Sequence, residues 1–252
     1  MGGPQPWVWA PTPLSAQRAI IIDARTGDTL FEKNGSVCGQ VASTQKLLTA
    51  LIVARSGNLD SFVSILPEDF PEDRSRKPMQ LGLASGERYT RRELLIGMLV
   101  GSANEATLAL ARDNAGSVAA FVECMNDAAA ELGMNNSHFV NPTGLPSDRQ
   151  FSTARDLAKL AHVVDSLGQL REIVRLRNFR LKKPDGSEIL CENTNLLLRR
   201  FSDCDGMKTG FTRAAGYCLV SSGERDGNRR LAVVLNSTRD GVWTDSQKLL
   251  GG

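Results

Sequence analysis

Histidine is nearly absent from this 252-residue sequence: His138 and His162 are the only two, and neither belongs to an HExxH arrangement. The five cysteines (Cys38, Cys124, Cys191, Cys204, Cys218) are odd in number and irregularly spaced, with no CxxC pair. A zinc cage requires Cys and His in clusters, so neither a metal centre nor any other cofactor is expected. At most two disulfides could form, and buried free thiols are the simpler reading. An excess of either charge is also missing. Thirty Lys and Arg against 28 Asp and Glu give a formal +2, and the charges are scattered. With no polybasic arm and no stripe to track phosphates, nucleic acid is not an expected partner. No apolar run reaches membrane-spanning length and no lipidation motif occurs, so membrane attachment is not expected to be encoded here. The opening "MGGPQPWVWAPTPLSAQ" lacks a basic region followed by an apolar one, and no secretory signal is expected in it. Internal repeats and low-complexity segments are absent as well.

What is present begins with size. A chain of 27.3 kDa can bury a substantial core, as one large domain or as two closely packed lobes. Residues 1–14, rich in Pro and Ala, suggest an extended arm. "RAIIIDARTGDTLFEKN" (18–34) is two strand-like runs around a turn at Arg25-Thr26-Gly27-Asp28. "STQKLLTALIVARSG" follows, apolar on almost every side, which marks a buried helix. The middle of the chain is helical. Thr90 with Glu93 forms a capping box for "RRELLIGMLV". "NEATLALARDNAG" and "SVAAFVECMNDAAAELG" both end in Gly. "STARDLAKLAHVVDSLG" is expected to start at a Ser152 cap with Asp156 in its first turn. The loop "MNNSHFVNPTGLPSDRQF" separates the last two. Strands then return as "GYCLVSS" and "RRLAVVLNS" around Arg225-Asp226-Gly227-Asn228, and "TDSQKLLGG" opens a final helix. Strands at both ends and helices between them predict an α/β fold of the α+β type: one antiparallel sheet built from both termini, flanked by helices, with an inserted helical lobe. The expected boundaries are a catalytic domain over 15–252, with its sheet lobe at about 15–56 and 170–252 and its helical lobe at about 57–169.

Three short motifs carry chemistry. In Ser43-Thr44-Gln45-Lys46, residues i and i+3 share a helix face, so the Ser43 hydroxyl and the Lys46 amine can meet. Burial would lower the amine's pKa, and a neutral amine beside a hydroxyl is a general base beside a nucleophile. SxxK nevertheless arises by chance about once in a chain of this length, and a helix cap with a surface lysine explains it equally well. Ser102-Ala103-Asn104 lies at a helix junction, where a hydroxyl and an amide could face one cleft or simply cap the next helix. Lys208-Thr209-Gly210 opens a strand with a cation, a hydroxyl and a residue that lets a ligand come close; its chance expectation is about 0.05 per chain. All three in this order are far less probable than any one.

The trio SxxK, SxN and KTG resembles the active-site serine penicillin-binding proteins and β-lactamases. The longer stretches "VASTQKLLTALI", "LASGERYTRRELLIGMLVGSANEATLALA", "NNSHFVNPTGLPSDRQFSTARDLAKLA" and "DGMKTGFTRAAGYCLVSS" are similar to the D-alanyl-D-alanine carboxypeptidase family of low-mass penicillin-binding proteins, from about residue 15 onward. The resemblance implies that Ser43 is the nucleophile and Lys46 its base. Ser102 would relay a proton to the leaving amine, Asn104 would bind the acyl-side amide, and Lys208 would keep the site electropositive. Thr209 would contact the substrate carboxylate and Gly210 would allow close approach. The backbone N–H groups of Ser43 and Phe211 would form the oxyanion hole. The implied partners are peptidoglycan stem peptides, with β-lactam antibiotics as covalent inhibitors, and the implied location is extracytoplasmic.

Departures from the family pattern stand beside the likeness. Val41 occupies a common proline position, Ala103 and Glu105 a common Gly and Asp, and Gln150-Phe151 a common His-Tyr. Val242 falls where many members carry an arginine for the substrate carboxylate, with Arg239 or Arg213 as candidate replacements. A further β-rich domain and amphipathic helix, frequent in the family, are not expected before Gly252. The resemblance implies a serine-type carboxypeptidase. The alternatives are a D,D-endopeptidase using the same residues, a β-lactamase, for which no segment supplies an extra water-positioning carboxylate, and a non-catalytic binding protein. His138 and His162 read as loop-packing and helix-face residues, since no carboxylate is spaced to make either a relay.

Overall fold

The computed structural model describes residues 13–70 and 81–251. Most of the segment read as an N-terminal arm therefore lies outside the described residues. The part that is described is fastened: the main-chain N–H groups of Ser15 and Ala16 donate to the two carboxylate oxygens of Asp245, and Lys33 donates to the Leu14 carbonyl.

Five strands form one antiparallel sheet. The hairpin β1 (Arg18–Asp23) and β2 (Thr29–Lys33) comes from the start of the chain. The strands β7 (Cys204–Thr212), β8 (Gly216–Arg225) and β9 (Asn228–Ser237) come from its end. The order β2-β1-β9-β8-β7 joins them through β1 and β9, where Ile20 faces Val233 and Ile22 faces Leu231. Continuous runs of Ile, Val and Leu suit strands covered on both faces. The order leaves β7 at one edge, and Lys208-Thr209-Gly210 lies in the middle of that strand, not at its start as expected, because Cys204, Gly206 and Met207 already pair with β8.

Between these two blocks the chain is mostly helical, and the helices are α1 (Lys46–Arg55), α2 (Arg91–Val100), α3 (Asn104–Ala115), α4 (Val118–Glu131), α5 (Ala154–Ser166) and α6 (Gly168–Val174). They are joined by a short ribbon, β3 (Phe62–Ser64) with β4 (Arg88–Thr90), and by a separate hairpin, β5 (Asn178–Lys182) with β6 (Glu188–Glu192). Two further helices complete the chain, α7 (Leu197–Arg200) and α8 (Gly241–Gly251). The Thr90–Glu93 capping box is formed as expected. The cap of α5 is not Ser152 but Thr153, whose hydroxyl accepts from the Asp156 N–H at 3.0 Å. Ser152 is committed elsewhere: its backbone bridges Gly39 and its hydroxyl meets Ser137. The last helix starts at Gly241, three residues before the expected Thr244, because Thr238 accepts the Gly241 N–H and begins the turn.

Helix α1 runs through the centre. Lys46, Leu47, Leu48, Thr49, Ala50, Leu51, Val53 and Ala54 are all buried, with α2, α3, α4, α5 and α6 packed around it. Each large side chain so enclosed contributes roughly 1.5–3 kcal/mol, and the site therefore hangs on a helix packed on all sides. On the opposite face of the sheet α8 covers Ala19, Ile21, Leu219 and Val234. A two-sided clamp ties the sheet to α5: Arg229 reaches Asp165 at 2.6 Å and Asp205 at 2.8 Å.

Candidate active site

The nucleophile candidate sits in a single 3-10 turn, Ala42–Gln45, that feeds directly into α1. Ala42 has φ +50, a conformation that costs an L-residue on the order of 1–3 kcal/mol and survives only where its surroundings enforce it. Those surroundings are the loop 139–145. A Cβ on Gly144 would collide with the Ala42 carbonyl and come within 2.7 Å of the Ser43 nitrogen, and φ +86 suits glycine there. The Ser43 hydroxyl can donate to the Thr143 carbonyl at 3.3 Å. Gln150 holds this loop in shape: its side-chain oxygen accepts from Val140 and Asn141, and its amide nitrogen donates to the Leu145 carbonyl. Gln45 adds a donor to the Asn141 carbonyl.

Lys46 is fully enclosed, and its amine meets four oxygens: Ser43 Oγ at 3.0 Å, Ser102 O at 3.1 Å, Ser102 Oγ at 3.4 Å and Asn104 Oδ1 at 2.7 Å. Burial, with the charge of Lys208 second, holds this amine well below the ordinary lysine range; Glu105 opposes both in part. A neutral amine has two N–H groups and one lone pair. The backbone carbonyl of Ser102 and the side-chain oxygen of Asn104 can take the two hydrogens, which leaves the lone pair for the Ser43 hydroxyl. That is the arrangement a base needs in order to take a proton from Ser43.

The second motif does not cap a helix. The N-cap of α3 is Ala103, and it makes no side-chain capping bond. Ser102 instead adopts φ +62, and both its hydroxyl and its carbonyl lie within reach of Lys46. Glu105, completely buried, accepts the Leu81 N–H at 2.5 Å; burial pushes its carboxyl pKa upward. This residue was only a departure in the sequence, yet it is the negative group that acts on Lys46.

The third motif arrives from the sheet edge. A Cβ on Gly210 would lie 2.9 Å from the Ser43 nitrogen, 3.0 Å from Ala42 Cβ and 3.1 Å from the Thr44 nitrogen. The missing side chain thus allows β7 to lie against the nucleophile's turn. Lys208 is fully buried, and burial pushes its amine down to about 7; it donates to the Thr209 carbonyl. Phe211 is exposed, with its ring 4.3 Å from that of Tyr217. The structure brings Ser43, Lys46, Ser102 and Asn104 into hydrogen-bond contact and lays Gly210 against the Ser43 turn, with Lys208, Thr209 and Phe211 its neighbours on β7.

Other expectations fall outside this group. Val242, the second residue of α8, is 1% exposed and belongs to the core between that helix and the sheet. Arg213 and Arg239 are exposed at the end of the sheet where β7 turns into β8 and β9 ends. All five cysteines are free. His138 pairs its backbone with Phe151, and His162 lies on α5. Among the described residues no cluster of His, Cys, Asp and Glu could hold a metal, and no helix is long and apolar enough to cross a membrane.

The D-alanyl-D-alanine carboxypeptidase family (peptidase family S11) matches residues 7–239 by its sequence profile. The chain is 31% identical to D-alanyl-D-alanine carboxypeptidase DacF of Bacillus subtilis, over 88% of this chain and 58% of that protein. It is 34% identical to a D-alanyl-D-alanine endopeptidase of Escherichia coli, over 82% of this chain and 66% of that one. Its fold superposes on the crystal structure of the Streptomyces K15 DD-transpeptidase with a TM-score of 0.90 and 30% identity, covering 96% of this chain and 97% of the other. The chain thus spans roughly three fifths to two thirds of the length of these two curated relatives.

Proposed function

The chain belongs to the D-alanyl-D-alanine carboxypeptidase family, and on that footing we propose that it is a serine-type D-Ala-D-Ala carboxypeptidase acting on peptidoglycan stem peptides. One observation carries the reading. The Lys46 amine touches Ser43, Ser102 and Asn104 at once, while Gly210 from a distant strand lies against the Ser43 nitrogen.

The residues permit a complete cycle. Ser43 Oγ attacks the carbonyl carbon between the two D-alanines as its proton passes to the Lys46 lone pair. The oxyanion that forms is received by the main-chain N–H groups of Ser43 and Phe211, each such donor contributing about 3–4 kcal/mol in a dry cleft. The C–N bond then breaks. The proton held by Lys46 travels through the Ser102 hydroxyl to the leaving amine, D-alanine departs, and Ser43 is left as an ester. Lys46, neutral again, takes a proton from water as the oxygen attacks the ester; the C–O bond to Ser43 then breaks while Lys46 hands that proton to Ser43 Oγ, which restores the free hydroxyl and releases the shortened peptide. Asn104 orients the acyl-side amide. Thr209 donates to the terminal carboxylate, with the Lys208 amine behind it. Penicillins would enter the same cycle, opening their lactam on Ser43 and staying attached. The substrate places the enzyme outside the cytoplasm.

D,D-endopeptidase activity on cross-links is the second reading, supported by the similarity to the Escherichia coli endopeptidase. It requires the same chemistry and differs only in the amine that leaves. Digestion of a peptide ending in D-Ala-D-Ala beside a cross-linked muropeptide decides between them. Release of free D-alanine as the faster reaction is expected; faster scission of the cross-link would make the enzyme an endopeptidase.

A further inference from the structure

Next to the substrate-side residues lies a segment that none of the three motifs includes. Asn193, Thr194 and Asn195 follow β6, and each side chain is engaged. Asn193 donates to the Leu176 carbonyl at 2.8 Å and accepts the Asn195 N–H at 2.8 Å. Asn195 donates to the Gly206 carbonyl at 2.8 Å and accepts from the Leu197 N–H. Thr194 donates its N–H to the carbonyl of Val100, two residues before Ser102. Both asparagines are buried, whereas Thr194 and Thr209 are only half-buried. This three-residue clip joins the Ser102 turn to β7, and between its anchors the Thr194 hydroxyl lies 2.5 Å from the Thr209 hydroxyl.

We propose that Thr194 is a positioning residue for substrate recognition: by donating to Thr209 Oγ1 it directs the Thr209 proton toward the substrate's terminal carboxylate. The inference rests on the role given to Thr209 above. A hydroxyl carries one hydrogen and two lone pairs, so in the pair one oxygen donates and the other accepts. If Thr209 donates to Thr194, it has nothing left to offer an anion. If Thr194 donates, the Thr209 hydrogen is free, and its direction is set by the lone pair already occupied. An anionic substrate selects the second arrangement, and the fixed backbone of the clip keeps the Thr194 oxygen where the first bond requires it. The device reads negative charge at the substrate terminus without adding another cation beside the two buried lysines.

Thr194→Val keeps the shape and removes the donor; Thr194→Ser keeps the donor. With a peptide ending in a free D-Ala carboxylate, Thr194→Val is expected to raise KM about five- to tenfold, leaving kcat within about twofold, since the lost contact is present before and during acylation. Thr194→Ser is expected to return KM to the wild-type range. In a Thr209→Val background the same Thr194→Val change should cost nothing further, because neighbours that act as one unit are not additive. An unchanged KM, a loss that Thr194→Ser does not rescue, or full additivity with Thr209→Val would overturn the proposal. These failures differ from failure of the carboxypeptidase reading, in which the unaltered enzyme itself would release no D-alanine.

Discussion

The main-chain nitrogen of Ser43 lies 2.9 Å from the point a Cβ on Gly210 would occupy. The neighbours at that point are the Ser43 and Thr44 nitrogens and the Ala42 Cβ, none of which can swing aside as the end of a long side chain can. Gly210→Ala must push β7 away from Ser43 and, with it, the proposed Phe211 donor. Acylation by benzylpenicillin should slow by about 10²-fold, the usual loss for one displaced oxyanion donor. A time course followed by intact mass checks this, and a variant within threefold of wild type would mean the strand does not form the hole.

In its proposed role Lys46 can act as a base only when neutral, so acylation should fall on the acid side as the amine takes up a proton. Three groups face it or its neighbours: Lys208 from β7 and burial lower its pKa, and Glu105 from α3 raises it; Cys191 from β6 is held protonated by burial. Removing the Glu105 charge takes away the raising influence. Glu105→Gln should therefore shift the acid limb of the pH–acylation profile to lower pH, at pH values where the wild-type carboxyl is ionised. A shift in the opposite direction would contradict this electrostatic picture.

Lys208 is held at about 7 by burial, far below the 10.4 or so of an unfolded lysine. Between those values the unfolded chain binds a proton that the folded protein does not, so stability rises with pH through this window. Below about 7 the penalty is fully present, on the order of 4 kcal/mol. The melting temperature should climb from pH 7 to pH 9, and Lys208→Met should be more stable than wild type at pH 7 while losing activity. A variant less stable than wild type at pH 7 would rule out an unfavourably buried amine.

Much of this was legible beforehand, and the reasons are local. The hairpin 18–34, the Thr90–Glu93 box and the buried α1 follow from turn chemistry and periodicity inside a dozen residues. The motif residues Ser43, Lys46, Ser102, Asn104 and Lys208 were identified by type and order. What the sequence hid depends on contacts across long separations. Whether Ser102 and Asn104 cap α3 or face Lys46 is decided by φ at Ser102 and by α1, more than fifty positions away. Gln150 shapes the loop beneath Ser43 through hydrogen bonds that no spacing announces. Thr194 reaches Thr209 only because two asparagines fold the clip onto β7. The misplaced α5 cap has the same origin: Ser152 and Thr153 are both good caps, and the tertiary bond from Ser152 to Ser137 leaves the role to Thr153.

Val242 is buried on the core side of α8, in the same apolar cluster as Leu249 and Leu250 of that helix. Restoring an arginine there would bury an unpaired cation, so Val242→Arg is expected to destabilise the protein by about 3 kcal/mol or more. Chemical denaturation measures this. A variant of unchanged stability with a lower KM would show instead that the position opens onto the substrate.

Lys46 is proposed to activate Ser43 where Gly210 lets β7 lie against the Ser43 turn. Incubation with benzylpenicillin followed by intact mass and peptide mapping tests it most directly. Wild type should gain one penicilloyl group, located on Ser43, whereas Ser43→Ala and Lys46→Ala should gain none over the same interval. Rapid labelling of Lys46→Ala, or an adduct on any residue other than Ser43, would contradict it.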